Sequence, residues 1–163
     1  MFPVRALFDR LVRDGLRFSS AESLTGGLIG GAITAFPGSS DVYAGGIVSY
    51  SVDAKVALLG IDLALIEEHG VVSRETAEAM ALGALARLDS DVSVAVTGVA
   101  GPSGGSADLP VGTVWLASAK RLHGSVAPSV ISERRHFSGS RARVRRNTVC
   151  AAARLVLAHL DRS

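Results

Sequence analysis

Ser23 stands in the run Ala21-Glu22-Ser23-Leu24-Thr25-Gly26-Gly27, between a segment that reads as strand and one that reads as helix. A serine hydroxyl at such a junction is exposed. Free N–H groups at the start of the following helix would offer positive potential to a developing oxyanion. The same position suits a helix N-cap, and spacing alone leaves cap and nucleophile both open. The G-x-S-x-G elbow of acyl hydrolases is absent.

Further on, Tyr50 and Lys55 lie in Gly45-Gly46-Ile47-Val48-Ser49-Tyr50-Ser51-Val52-Asp53-Ala54-Lys55. Their spacing is five, not the four of the Y-x-x-x-K pair in short-chain dehydrogenases. A lysine acts as a general base only when its pKa falls well below the reference, where roughly one amine in a few thousand is neutral at pH 7. Burial would achieve that. Lys55 is the only lysine among the first 119 residues, the other basic residues there being arginines. A surface lysine beside a packed tyrosine is the alternative that the spacing allows.

Two more stretches hold groups suited to an anionic ligand. Thr97-Gly98-Val99-Ala100-Gly101-Pro102-Ser103-Gly104-Gly105 follows an alternating valine strand, and backbone N–H groups of such a loop bind phosphate or carbonyl oxygen. It is neither a Walker loop nor a dinucleotide fingerprint, and a plain flexible loop is the competing reading. Ser138-Gly139-Ser140-Arg141-Ala142-Arg143-Val144-Arg145-Arg146 opens a helix with four arginines. Cations there oppose the helix dipole, which a bound anion would offset, and arginine forks suit phosphate. Arginines reaching into water are the alternative. His69, His123, His136 and His159 show no metal-ligand spacing, so no metal and no cofactor is expected.

The elements that must position these groups follow from periodicity. Apolar residues at 4, 7, 8, 11 and 12 predict a helix over 3–14 that Gly15 ends. A short strand over 16–21, a glycine-rich helix over 25–36, a turn at 37–40 and a strand over 42–51 come next. Short helices are expected over 53–59 and 63–69. A longer one runs from the Ser73 cap to about Leu88. Val92, Val94 and Val96 alternate with smaller residues as a strand. Strands over 111–119 and 126–137 succeed each other without an intervening helix, so that part of the sheet is expected to be antiparallel. A helix over 140–160 completes the set. The class is α/β: a single three-layer domain with a mixed, mostly parallel central sheet flanked by helices.

With 163 residues, 48% apolar and 20% charged, the chain suits one globular domain without disulfides. The lone Cys150 lies in an apolar run and reads as packing. The first sixteen residues are too charged for a signal peptide, and no run is long and apolar enough for a membrane span. A cytoplasmic location is expected. From Lys120 onward there are ten Lys/Arg and two Asp/Glu, against seven and thirteen before it. That asymmetry favours an anion site. No aromatic-rich motif accompanies it, so no nucleic-acid partner is expected.

Taken together, these stretches resemble the CinA C-terminal-domain family, also known as nicotinamide-nucleotide amidases. The resemblance runs from about Pro3 to Leu160. It is most specific at Ala21 to Gly27, Gly46 to Ser51, Gly70-Val71-Val72-Ser73, Thr97 to Pro102 and Pro110 to Trp115. It implies a metal-independent amidohydrolase that converts nicotinamide mononucleotide and water to nicotinate mononucleotide and ammonia. Ser23 matches the family's nucleophile, with Tyr50 and Lys55 at its tyrosine and lysine positions. Substrate contacts are expected from Glu22, Thr25, Gly26 and Gly27, from Thr97, Gly98, Gly101 and Gly105, and from Arg141 and Arg145, one of which would hold the nucleotide phosphate. A homodimer or larger homo-oligomer is also implied. Many members carry a molybdopterin-binding-like N-terminal domain, whose activity is not implied for this sequence. The chain departs from the usual pattern at Ala44, Val52 and Ser140. A nucleotide-binding regulatory module with weak or no catalysis is a second function these residues allow, and a nucleic-acid accessory protein, resting on the basic tail alone, is a third.

Overall fold

The computed structural model describes residues 2–122 and 124–162. Its elements in chain order are α1 (Phe2–Asp14), β1 (Phe18–Glu22), α2 (Leu28–Thr34), β2 (Tyr43–Val48), α3 (Val52–Leu59), α4 (Leu63–His69), α5 (Arg74–Arg87), β3 (Val92–Gly98), β4 (Thr113–Lys120), β5 (Ser129–His136) and α6 (Arg141–Leu160). The five strands form one sheet in the order β2-β1-β3-β4-β5. β1 pairs parallel with both β2 and β3. β4 is antiparallel to β3 and to β5. Four of the five strands therefore run the same way, and the antiparallel part falls where two strands follow each other directly, as expected.

Strand alternation gives the two faces different textures. Phe18, Val92, Val94, Val96, Val114 and Leu116 join the core beneath α1, α2 and α6. On the other face Ala21, Ala95, Ala117 and Ala119 leave room for α5, which brings Ala77, Met80, Ala81, Ala84 and Leu85 against them. The approach is close enough for Ser93 Oγ to donate to the Ala81 carbonyl at 2.7 Å. Helices thus cover both sides of the sheet, which makes the three layers.

The helix expected over 25–36 is shorter, Leu28–Thr34. Gly26 and Gly27 have φ of +59° and +96°. Left-handed backbone there stops a right-handed helix from beginning at Thr25. Other boundaries move by a few residues, mostly at strand ends where the residue chemistry changes little. Cys150, read as core packing, is half-buried on α6. Among the described residues, no helix is long and apolar enough to cross a membrane.

Candidate active site

Ser23 leaves the carboxyl end of β1, a strand held between two parallel neighbours. Its own amide donates to the Val96 carbonyl at 3.1 Å. The side chain is nearly buried, 8% exposed. Lys55 arrives from α3. Ser51 caps that helix, accepting from the Ala54 amide at 3.1 Å, and the inward face it starts carries Lys55 and, one turn on, Leu59. Lys55 Nζ then lies 3.2 Å from Ser23 Oγ and donates to the Ser49 carbonyl at 2.7 Å. The lysine is fully buried. Loss of hydration pulls its pKa down to about 8. A nucleophile and a base are therefore within hydrogen-bond reach.

Tyr50 makes no hydrogen bond to this pair among the described residues. It follows β2, is 61% exposed, and its hydroxyl accepts from Arg141 Nη2 at 2.9 Å. Arg141 Nη1 donates to the Gly101 carbonyl, also at 2.9 Å. The arginine thus bridges the Tyr50 segment and the glycine loop at the rim of the site. Ser140, one of the positions that departs from the family pattern, caps α6 by accepting from the Arg143 amide.

Glu22, expected to touch substrate, is committed to the fold instead. It is buried, and its carboxylate accepts from the amides of Gly27, Ile29 and Gly30 at 2.9, 3.1 and 2.9 Å. Those bonds also consume the helix-start N–H groups expected to face an oxyanion. Thr97 is likewise committed, its hydroxyl donating to the Val71 carbonyl at 2.8 Å. Gly98 and Gly101 pack closely on the chain, whereas Gly105 is exposed. A Cβ on Gly98 would lie 2.6 Å from the Thr113 carbonyl, one on Gly101 would run into the Val111 side chain, and one on Gly105 would lie 2.8 Å from the Val111 amide.

Arg145 is also used within the protein. Its Nε donates to the Leu24 carbonyl at 2.9 Å and its Nη2 to the Thr25 carbonyl at 2.6 Å. It holds the turn that follows Ser23. Around that turn nearly every amide is occupied: Ser23 on Val96, Gly26 on the Ser23 carbonyl, Leu28 on the Thr25 carbonyl, and the three that Glu22 takes. Among the described residues only the amides of Leu24 and Thr25 in this stretch meet no acceptor. Thr25 Oγ1 and Ser49 Oγ are buried and equally without a partner.

Sequence reasoning did not anticipate Ser49. Its part is played by a backbone carbonyl, which residue type does not advertise.

The CinA C-terminal domain model matches residues 3–160 of this chain. The chain is 46% identical over 142 residues to a CinA-like protein of Mycolicibacterium paratuberculosis, covering 87% of this chain and 32% of that protein. It is 51% identical over 112 residues to the nicotinamide-nucleotide amidohydrolase PncC of Shewanella oneidensis, covering 69% of this chain and 26% of that protein. The chain thus spans no more than about a third of the curated relatives it matches. Among solved structures, the competence/damage inducible protein CihA of Agrobacterium tumefaciens superposes with a TM-score of 0.87 at 42% identity, over 96% of this chain and 94% of that one. A CinA superfamily protein of Escherichia coli gives 0.86 at 35% identity, over 95% and 87%.

Proposed function

Because the chain belongs to the CinA C-terminal-domain family, we propose that it hydrolyses the carboxamide of nicotinamide mononucleotide, with Ser23 as nucleophile and Lys55 as base. The observation that carries this reading is the 3.2 Å contact between the buried Lys55 Nζ and Ser23 Oγ, with burial pulling the lysine pKa down. The name of the Shewanella relative supports the choice of substrate.

Neutral Lys55 takes the hydroxyl proton as Ser23 Oγ bonds to the carboxamide carbon, and the carbonyl electron pair moves to oxygen. The tetrahedral adduct collapses. Its C–N bond breaks, the Lys55 proton goes to nitrogen, and ammonia leaves an ester on Ser23. Water then attacks that ester and gives a proton to Lys55. The nicotinate product departs as the proton returns to Ser23 Oγ. The transfer is direct in both halves, so Tyr50 has no proton to carry. It orients Arg141 instead, and Arg141 retains N–H groups for the nucleotide phosphate.

The test is ammonia release from nicotinamide mononucleotide by the purified chain, with chelator present and Ser23→Ala alongside. Release by the wild type and none by a folded Ser23→Ala is the expected result. Substantial turnover by that variant would exclude the covalent route. No turnover by the wild type, with the nucleotide still bound, would make this a binding module.

A further inference from the structure

On the reading just proposed, we infer that the Leu24 amide is the oxyanion donor and that Arg145 is a positioning residue that strengthens it through two intervening peptide groups. Along the turn that directly follows Ser23, the accounting of amides leads there. Ser23, Gly26, Gly27, Leu28, Ile29 and Gly30 all donate within the protein. Two remain, those of Leu24 and Thr25, and the Leu24 amide is the one joined directly to Ser23. The amide directly after a nucleophile is also where acyl-transfer sites on other folds place an oxyanion donor.

Arg145 reaches this amide through a continuous chain of polarised peptides. The guanidinium donates to the Thr25 carbonyl at 2.6 Å. The N–H of that same peptide unit belongs to Gly26 and donates to the Ser23 carbonyl at 3.2 Å. The N–H of the Ser23 unit in turn belongs to Leu24. Each hydrogen bond polarises the next, and a charged donor at the head strengthens the whole series. As Ser23 Oγ attacks, negative charge appearing on the carboxamide oxygen meets an N–H already biased by a cation two peptides away. Gly26 supports the geometry: at φ +59° it completes the turn, and a Cβ there would lie 3.5 Å from Arg145 Nη2.

This separates Arg145 from Arg141. A phosphate ligand for Arg145 would act on substrate affinity, whereas a polarising role acts on the transition state. The experiment compares wild type, Arg145→Gln and Arg145→Lys in two assays. One is steady-state turnover of nicotinamide mononucleotide. The other is the rate at which a simple alkyl fluorophosphonate, which carries no nucleotide phosphate, labels Ser23. The expected result for Arg145→Gln is a kcat lower by about tenfold to a hundredfold, short of the loss seen on deleting an oxyanion donor outright. KM should stay near wild type, and labelling should slow by a similar factor. Arg145→Lys, which keeps the charge and one donor, should recover part of both rates. A raised KM with unchanged kcat and unchanged labelling would overturn the inference and return Arg145 to the phosphate. So would equal losses in both variants tracking a lowered melting temperature, since that is a structural role only. If Arg145→Gln does not fold, Arg145→Lys is read by the same criteria. A wild type that neither turns over nor labels would show instead that the reading of Ser23 itself has failed, and this inference with it.

Discussion

The ammonium of Lys55 has lost its water and, among the described residues, gained no carboxylate in exchange. It has one carbonyl and the Ser23 hydroxyl for company. Burial disfavours the charged form, so the neutral base is present in about one molecule in ten at pH 7 rather than one in a few thousand. A base of this kind makes kcat/KM rise with pH and level off above about pH 8. Stopped assays of ammonia release at intervals between about pH 6 and 9 would show it. A flat profile, or one that falls with pH, would remove Lys55 from the role. The residue type was readable in the sequence as the only lysine of its stretch, and so was the serine, which stands in a separate motif of the same family. What spacing left open was whether the two meet. That depends on α3 turning its buried face toward the end of β1, and neither residue records it.

Among the elements, the α2–β2 corner explains one glycine of the glycine-rich segment, Gly30. Tyr43 lies across it, its hydroxyl 2.8 Å from Ser20 Oγ. A Cβ on Gly30 would sit 2.6 Å from that hydroxyl. The helix gives up propensity, about 1 kcal/mol against alanine, to let the phenol in. Gly30→Ala should therefore lower stability by about 1–3 kcal/mol, as overpacking does. In a Tyr43→Phe background, where the offending oxygen is gone, the same change should be nearly neutral. Urea unfolding of the four proteins of that cycle measures the difference. An equal loss in both backgrounds would mean that the hydroxyl is not what excludes the methyl group. Glycine count signalled a close approach here, but not which side chain made it. Likewise the start of α2 was misjudged by three residues because Gly26 and Gly27 take left-handed backbone that composition alone does not distinguish from helical glycine.

Across the whole molecule, α6 is fastened to the sheet by a histidine. His159 is fully buried, with Nδ1 3.0 Å from Ser118 Oγ and Nε2 3.1 Å from Ser129 Oγ. Burial, with the charges of Lys120 and Arg162 adding to it, pushes its pKa down to about 4. The unfolded chain takes up this proton as pH falls through about 6.5, while the folded chain refuses it until about 4. Stability from this group is therefore intact above about 6.5 and drains away below it. Between pH 7 and pH 5 the wild type should lose about 2 kcal/mol relative to His159→Gln. Equilibrium unfolding at the two pH values checks this, and parallel losses in both proteins would refute it. The layered architecture itself was legible, because alternating valines and the absence of a helix between the last two strands fix a mixed sheet. The role of His159 was not, because a histidine isolated in sequence gives no sign of two hydroxyls brought to it by different strands.

The turn after Ser23 is gripped by a side chain that lies 121 and 120 residues further along than the carbonyls it holds. During synthesis the serine and its lysine leave the ribosome long before that grip exists. Until α6 docks, the turn after Ser23 lacks those two hydrogen bonds. If Ser23 acts as proposed, its turn is therefore completed only when α6, the last helix among the described residues, docks.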